Sequence, residues 1–551
     1  METIIVNGAT YWLPESNDDV IALVQEALDK NELICVRGSG HSFPLIGGLE
    51  KEQKSSSGRP YKYIMLSKMY AVEMLDENTV KVQAGCHLGV DPFDPTGIST
   101  VENSLCCILD NLGTATNNPS LNRALPDLGG ITHQTIGGFL STGSSGGSIQ
   151  YSFEDALISV DVVTYKPNGE ACLLTYNRDD KPENHFFAIG LASLGLMGVI
   201  VSATFTCIPQ FYIAGSETIE YTDKCTLIDF FNKSNGLPDL ETFLRQTEYS
   251  RLMWWPQQNG QQEDLSRMVV WQAKRTTKAG AEAWAANAYE LMGVQPSPDG
   301  LKPYEEVPYV FGSPDPANIV ANLIYNAIGQ WPTWLQKLLA DKPTEYEIIK
   351  TLVESNYATK IFPAIMDLFV AVDTSTNKNK GPQLFSDVWY KGIPMDNQMN
   401  DKLMPVWFTE LWISTDWAWV LMVDLKNYYD AQPISIDFSF SCEIYAAKQS
   451  PFWLSPAYGT DVVRIDVFWY GNNQGDPATF YQNFWDLLAS YSYRPHWGKY
   501  IPDMINGFPA INYWSGLYTK WNDWMKLRHT MDPKQIFVND YWREKLGIPA
   551  V

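Results

Sequence analysis

A glycine-rich turn that carries a fixed cation and a histidine is the first part of the chain that could do chemistry. It spans Arg37 to Phe43, with the sequence Arg-Gly-Ser-Gly-His-Ser-Phe, and follows an apolar run over residues 33–36. Glycines let the backbone come close to a bound group, and Arg37 with the free N–H groups of such a turn forms an anion site that suits a diphosphate. The turn is neither the dinucleotide fingerprint nor the nucleotide-triphosphate loop. Taken alone, it is better explained as a surface turn with one solvated histidine, His41.

A second stretch, residues 127–148, is dense in glycines and small hydroxyl residues. This composition predicts backbone that wraps closely around a ligand. A flexible linker is the alternative. However, Ile131, Ile136, Phe139 and Leu140 interrupt the stretch at intervals, and linkers lack such buried anchors. The sequence therefore favours a second ligand-binding segment.

The candidate acid-base group lies much later, in the alternating segment from Ile434 to Ala447. Glu443 and Tyr445 are two residues apart there, so we expect both on one face of a strand. A carboxylate flanked by apolar residues on a central strand is costly to bury, and a role in accepting a proton would explain its presence there. A glutamate on an edge strand in water explains the pattern equally well.

Two cations and a histidine follow this segment. Arg464 and Asp466 share a face of the strand predicted over residues 461–470, and His496 and Lys499 lie in the run Tyr-Arg-Pro-His-Trp-Gly-Lys at 493–499. Arg464 and Lys499 are candidates for holding a substrate oxygen. We interpret His496, which lies among aromatic neighbours, as structural and give the pocket role to Lys499.

The elements that must position these groups divide the chain in two. A helix with apolar residues on one face, capped at Ser16 or Asn17, leads into the first strand, and residues up to about 209 are predicted to alternate strands with helices. From 211 to 470 glycines thin out and tryptophans gather, which favours an antiparallel sheet backed by helices. Predicted there are a hairpin from 252 to 271 around Asn259-Gly260, a strand at 407–413, helices at 318–328 and 345–372, and a loop at 377–382 that is a candidate lid.

Composition limits the classes of protein. At 551 residues the chain should form two or three domains, and its formal charge of −23 argues against nucleic acid and anionic membrane surfaces as partners. Eight cysteines without metal-type spacing indicate neither a disulfide framework nor a metal site. No secretory start and no apolar run long enough for a membrane span is visible, so a cytoplasmic location is expected.

The glycine turn, the stretch from Gly129 to Gly147 and the segment from Gly195 to Val201 together resemble the FAD-binding domain of the vanillyl-alcohol-oxidase-type flavoproteins. The resemblance implies FAD, with the diphosphate on the glycine turn and His41 bonded covalently to the 8α-methyl of the flavin. No cysteine stands at residues 124–126, where some relatives make a second bond. Gly129 stands where a small residue admits oxygen to the flavin in this family. The resemblance implies these cofactor-binding residues: Arg37, Gly38, Ser39, Gly40, His41, Ser42, Gly129, Gln134, Thr135, Gly138, Thr142, Gly143, Gly147, Val199 and Ile200.

His-Trp-Gly-Lys at 496–499 and Trp-Leu-Ser-Pro-Ala-Tyr-Gly at 453–459 resemble the sugar-lactone and alditol oxidase branch of the same superfamily. There a Glu-x-Arg pair works at the substrate carbon. Glu443 matches the glutamate, but Tyr445 replaces the arginine, which puts the sugar or lactone substrate in doubt. The later half also has some likeness to the covalent cholesterol oxidases.

These resemblances imply an α+β protein in three parts. Residues 1–210 form a two-subdomain FAD-binding domain, residues 211–480 a cap with a large antiparallel sheet flanked by helices, and residues 481–551 a segment that returns to the first domain. The implied activity is an oxidase that takes hydride from a CH–OH group to flavin N5 and passes it to O2, giving H2O2, with catalytic residues Glu443, Tyr445, Lys499 and Arg464. The alternatives are a flavoenzyme acting on a sterol, an amine or a natural-product intermediate, and a flavin-binding protein without turnover.

Overall fold

The computed structural model describes residues 1–43, 54–180, 185–231, 235–256, 266–293, 295–305, 338–356, 382–397, 406–431, 442–470 and 476–551. Several predicted features lie outside these ranges. They are the helix at 318–328, the turn at Asn259-Gly260, residues 377–381 of the candidate lid and residues 434–441 of the segment that carries Glu443. The predicted helix at 345–372 is described only to residue 356.

A small mixed sheet positions the glycine turn. Its strands are β1 (Glu2–Val6), β2 (Ala9–Leu13), β3 (Leu33–Arg37) and β4 (Tyr61–Met65), in the order β1-β2-β4-β3, and β4 runs parallel to both β2 and β3. Helix α1 (Asn17–Lys30) connects β2 to β3; the Ser16 hydroxyl accepts the N–H of Asp19 at its start, and Asn31 ends it in the left-handed region. The predicted capped helix and the strand after it are confirmed, and the end of β3 delivers the chain to Arg37.

A second sheet completes the first half of the chain and is entirely antiparallel. Its order is β5-β6-β10-β8-β9, and short helices surround it. Its strands are β5 (Val72–Asp76), β6 (Thr79–Gln83), β8 (Leu157–Tyr165), β9 (Ala171–Asn177) and β10 (Val199–Thr206), and the helices are α2 (Leu105–Asp110), α3 (Ile136–Thr142) and α4 (Phe186–Ile189). A two-stranded pair, β7 (Arg123–Ala124) and β11 (Ile208–Pro209), lies beside it. The predicted alternation of strands and helices is therefore wrong for this sheet, since hairpins join β5 to β6 and β8 to β9.

An eight-stranded antiparallel sheet dominates the second half. Its order is β15-β12-β14-β13-β17-β18-β16-β19. The strands are β12 (Tyr212–Tyr221), β13 (Tyr249–Trp255), β14 (Arg267–Thr276), β15 (Gln383–Val388), β16 (Val406–Ser414), β17 (Cys442–Ala447), β18 (Val462–Tyr470) and β19 (Arg494–Pro495). The helices of this half are α5 (Leu240–Gln246), α6 (Lys278–Met292), α7 (Pro343–Asn356), α8 (Trp389–Gly392), α9 (Ala418–Ala431) and α10 (Pro477–Leu488). The predicted α+β class with a large antiparallel sheet and flanking helices is confirmed.

The last segment of the chain contacts the first sheet. It contains β20 (Met504–Ile505), β21 (Phe508–Pro509), α11 (Ala510–Leu517), α12 (Trp521–Met531) and α13 (Asp540–Lys545). The N–H of Ile34 donates to the carbonyl of Ile536 at 2.7 Å, and the N–H of Phe43 donates to the carbonyl of Gly498 at 2.7 Å. The segment thus closes against the glycine turn, while the domain boundaries at 210 and 480 stay predictions.

Two searches of the described ranges bear on the wider expectations. No helix within them is long and apolar enough to cross a bilayer, and no group of acidic, histidine or cysteine side chains within them is arranged to hold a metal ion. All eight cysteines are free thiols, as expected from their spacing.

Candidate active site

One cavity joins the glycine segments of the first half to the face of the large sheet. Its volume is about 570 Å³, within the range of small-molecule sites. It is lined by residues 37–43, by much of the 129–145 stretch and by side chains of β16, β17 and β18. The two sets of residues that the sequence analysis singled out separately therefore face the same space.

The wall formed by the glycine turn is shaped for close approach. A Cβ atom placed on Gly38 would lie 2.6 Å from Thr135 Oγ1, so no side chain fits there. Gly40 adopts φ +87°, which L side chains rarely take. Ser39 Oγ donates to the carbonyl of His133, which ties the turn to the second glycine stretch. The wall thus presents backbone, as a large planar cofactor with a diphosphate requires.

Helix α3 holds the second glycine stretch in place. It begins at Thr135, whose hydroxyl accepts the N–H of Gly138 at 3.2 Å, and it ends at Gly143 in the left-handed region. Most of the predicted cofactor-binding residues line the cavity: Arg37, Gly38, Ser39, Gly40, His41, Ser42, Gly129, Gln134, Thr135, Gly138, Thr142, Val199 and Ile200. Gly143 and Gly147 are not among the lining residues. Gly143 ends the helix, and Gly147 lies so close to the carbonyl of Ser250 that a Cβ atom would approach it to 2.6 Å.

His41 lines the cavity together with the rest of the glycine turn. Its ring centroid is 5.9 Å from that of His133, which also lines the cavity. Two imidazoles therefore lie at this end of the space, and only His41 was singled out from the sequence.

Glu443 lines the same cavity and lies on an interior strand of the large sheet. It is 4% exposed, so the alternative of an edge glutamate in water is wrong. In the sheet register Met253 of β13 and Asp466 of β18 flank it, and Arg251 Nη1 lies 3.5 Å from its Oε1. Burial raises the pKa of Glu443 well above the usual value, and the charge of Asp396 adds to this while Arg251 opposes it.

Carboxylates form a row across three neighbouring strands. Asp466 pairs in register with both Glu443 and Glu410. Lys499 closes this row, with Nζ 2.7 Å from Glu410 Oε2 and in direct contact with Asp466 Oδ2. Burial raises the pKa of Asp466 to about 7, with Lys499 countering. Although burial acts against it, Lys499 has a raised pKa because of these carboxylates.

Tyr445 of β17 and Arg464 of β18 lie side by side, two residues along these strands from Glu443 and Asp466. Tyr445 pairs in register with Arg464, whose Cζ is 3.9 Å from the centre of the tyrosine ring. Arg464 also contacts the Glu410 carboxylate and donates to the carbonyls of Ser145 and Gly146 at 3.1 and 2.8 Å. Arg464, Tyr445 and Lys499 all line the cavity, and both cations are already engaged with the protein, Lys499 through Glu410 and Asp466.

His496 also lines the cavity, and both of its ring nitrogens contact the protein. Its Nδ1 accepts the N–H of Gly498 at 3.1 Å, and its Nε2 is 3.4 Å from Ser144 Oγ. Burial lowers its pKa to about 3, so the ring is neutral.

Sequence reasoning missed three charged residues of this wall, Arg251, Asp396 and Glu410. Glu410 carried a usable signal, because it interrupts an apolar strand in the same way as Glu443. Arg251 immediately precedes the apolar run Leu252–Trp255, a weaker signal. Asp396 carried none, since it follows α8 in an irregular segment.

Comparison with known proteins agrees with this geometry. The family profile of D-arabinono-1,4-lactone oxidase matches residues 351–545. L-Gulonolactone oxidase of Scyliorhinus torazame is 19% identical over 96% of this chain and 93% of its own length. A putative D-arabinono-1,4-lactone oxidase of Neurospora crassa is 34% identical, but that alignment spans 48% of this chain and 38% of the relative. Among solved structures, a histidine-to-alanine mutant of cholesterol oxidase from Brevibacterium sterolicum superposes with a TM-score of 0.64 at 14% identity, over 98% of this chain and 94% of that one.

The chain is an FAD-dependent oxidoreductase with the vanillyl-alcohol-oxidase-type fold. The resemblance predicted from the glycine segments is confirmed, and so is its likeness to both the lactone oxidases and the cholesterol oxidases. The residues present fit FAD, because Gly38 and Gly40 leave no room for side chains on the glycine turn, and Arg37 and the buried carboxylates of Glu443 and Asp466 line the same cavity.

Proposed function

We propose that this flavoprotein oxidises the CH–OH group of an aldonolactone, an alditol or a related polyhydroxy compound, with O2 as the electron acceptor. The observation that carries the proposal is the placement of Glu443, a buried carboxylate, in the same cavity as the side-chain-free wall of the glycine turn. Bound FAD would supply the acceptor for the hydride and pass the two electrons to O2.

The polar wall supports a polyhydroxy substrate. Glu443, Asp466, Tyr445 and Lys499 all line the cavity and offer both acceptors and donors to several hydroxyl groups at once. A site built of buried polar groups favours substrates that satisfy them, because each unmatched group costs binding energy. The names of the lactone oxidase relatives point to the same substrate class.

Glu443 is the proposed proton acceptor. A carboxylate within hydrogen-bond reach of the substrate hydroxyl, directly or through one water, removes the proton as the hydride leaves the carbon. Tyr445 and Lys499 are proposed to hold the substrate oxygen, since both reach the cavity and a donor there stabilises developing charge. We assign Arg464 to fixing the Tyr445 ring by stacking on it.

The raised pKa of Glu443 predicts the pH dependence. Only the ionised carboxylate accepts a proton, so kcat/KM should rise with pH through the pKa of this group and then level off. Because burial raises that pKa above 4.5, the acid limb should lie above the range of an ordinary glutamate. Steady-state oxygen uptake across pH measures it. The limb should vanish in Glu443→Gln and persist in Asp466→Asn; a limb that persists in Glu443→Gln contradicts the assignment.

Gly129 is the proposed gate for oxygen. A Cβ atom there would lie 3.4 Å from both Ile131 O and Phe139 Cε2, so alanine fits without a clash. We expect Gly129→Ala to slow reoxidation of the enzyme by O2 by at least about tenfold, or about 1.4 kcal/mol of barrier, while anaerobic reduction by substrate is retained. Stopped-flow mixing of reduced enzyme with O2 measures this.

The control for this substitution is Gly516→Ala, a helix glycine with open space around its Cβ position. It should reoxidise at the wild-type rate. Equal reoxidation rates in Gly129→Ala and the wild type would contradict the gate.

We also propose that FAD is attached covalently at His41. The side chain lines the cavity at the turn that faces the cofactor, and the glycine turn holds it there.

Oxygen-uptake assays with peroxide detection, using aldonolactones and alditols, test the overall activity. Turnover that yields no peroxide would contradict O2 as the acceptor.

A further inference from the structure

The buried carboxylate of Glu443 has a counter-charge on the neighbouring strand. Met253 pairs in register with Glu443, so Arg251, two residues earlier on β13, points to the same face of the sheet. Its Nη1 is 3.5 Å from Glu443 Oε1, and its side chain is 6% exposed. Because a carboxylate buried without a cation is costly to ionise, Arg251 is well placed to decide whether Glu443 can carry charge.

Arg251 cannot act on the substrate directly, because it is not among the residues that line the cavity. It lies beside Glu443, on the neighbouring strand. We propose that Arg251 is a positioning residue that sets the proton affinity and the orientation of Glu443 from the neighbouring strand. This inference rests on the proposed function, in which Glu443 is the proton acceptor.

Arg251 is shared among three carboxylates, those of Glu443, Asp396 and Glu217. It forms a direct ion pair with Asp396, and Glu217 Oε1 lies 3.8 Å from its Nη2. The N–H of Asp396 donates to the carbonyl of Gly130 at 2.8 Å, which fixes Asp396 on the cavity wall. Asp396 therefore opposes ionisation of Glu443 in two ways, by its own charge and by drawing on the same guanidinium.

Other charged and titratable groups also lie around Glu443. Asp466 faces it from β18, Lys499 from the last segment and Tyr445 from its own strand. Asp466 and Lys499 are in contact with each other, so their charges largely offset. Arg251 and Asp396, whose charges also act on the pKa of Glu443 with opposite signs, can each be removed separately, and this difference gives the test.

Removing each charge should move the acid limb of kcat/KM in opposite directions. Arg251→Met should move it up by at least about one pH unit, which is about a tenfold loss of rate below the limb. Asp396→Asn should move it down, and Arg251→Lys, which keeps the charge, should restore it towards the wild-type position. Infrared spectroscopy gives a second measurement that needs no turnover. The band of the protonated Glu443 carboxyl is the one that Glu443→Gln removes. Its titration midpoint in the FAD-loaded variants should shift in the same directions as the acid limb.

Arg267→Met is the matched control. Arg267 is an arginine buried to a similar degree on the adjacent strand β14, where its guanidinium lies 3.4 Å from the centre of the Tyr221 ring. The acid limb of kcat/KM of the Arg267→Met variant should stay at the wild-type position. An unchanged limb in Arg251→Met, or limbs that move the same way in Arg251→Met and Asp396→Asn, would overturn the proposal.

Two further outcomes are decisive. If the Arg251→Met variant does not fold or bind FAD, the acid limb of kcat/KM in Asp396→Asn becomes the test. A lowered limb supports the proposal, and an unchanged or raised limb overturns it. If Glu443→Gln keeps the wild-type rate and limb, the proposed function has failed instead, and the inference about Arg251 falls with it.

Discussion

Glu443→Gln is expected to slow anaerobic reduction of the flavin by substrate by about 10²–10⁴-fold, the usual loss when a general base is removed. Glutamine keeps the shape of the side chain but cannot take the hydroxyl proton. Glu443 is not one of the predicted cofactor-binding residues, so FAD content should match the wild type. Stopped-flow absorbance under anaerobic conditions measures the rate constant directly.

The control for this substitution is Glu154→Gln. Glu154 is also a buried glutamate, and burial raises its pKa to about 7, but it contacts Ser450 and is not among the cavity residues. It should be reduced at the wild-type rate. A Glu443→Gln variant that is reduced as fast as Glu154→Gln would rule out Glu443 as the proton acceptor.

His41→Ala is expected to release the flavin from the polypeptide completely. Wild-type protein precipitated with acid should stay yellow, and the variant should give a colourless pellet and a yellow supernatant. A covalent bond at the 8α position withdraws electrons from the ring and raises its reduction potential. The variant should therefore also be reduced more slowly, by at least about tenfold, equivalent to about 1.4 kcal/mol.

His133→Ala separates the two histidines of the cavity. The His133 ring lies 5.9 Å from that of His41, so it is the alternative attachment point. The precipitated His133→Ala protein should stay yellow. A colourless His133→Ala pellet together with a yellow His41→Ala pellet would move the bond to His133, and a colourless wild-type pellet would exclude any covalent bond.

The sequence predicted the cofactor wall because glycines at fixed spacing report a backbone constraint that is local. Gly40 needs positive φ, which follows from the turn itself. Gly38 has no room for a side chain because Thr135, from the second glycine stretch, lies against it. The same reasoning included Gly147 among the cofactor-binding residues. The group that comes close to Gly147 is the Ser250 carbonyl, and Gly147 does not line the cavity. A glycine shows that something comes close, but the sequence does not say what.

The reacting wall was harder to predict, because it depends on strand register between distant segments. Alternation placed Glu443 and Tyr445 on one face correctly. Arg251 reaches Glu443 only because β13 pairs with β17 across almost 200 residues of sequence. No local pattern reports such pairing, so the cation nearest the proposed base was missed. Arg464 was found from the alternation of its strand, and Lys499 from the motif at 496–499.

Anaerobic mixing with a panel of compounds tests the central claim most directly. The purified yellow enzyme is mixed without oxygen with aldonolactones, alditols, sterols and amines, and loss of flavin absorbance is followed. The account predicts bleaching by a lactone or an alditol, with the rate falling sharply in Glu443→Gln. Bleaching only by a sterol or an amine, or by none of the panel, would contradict it.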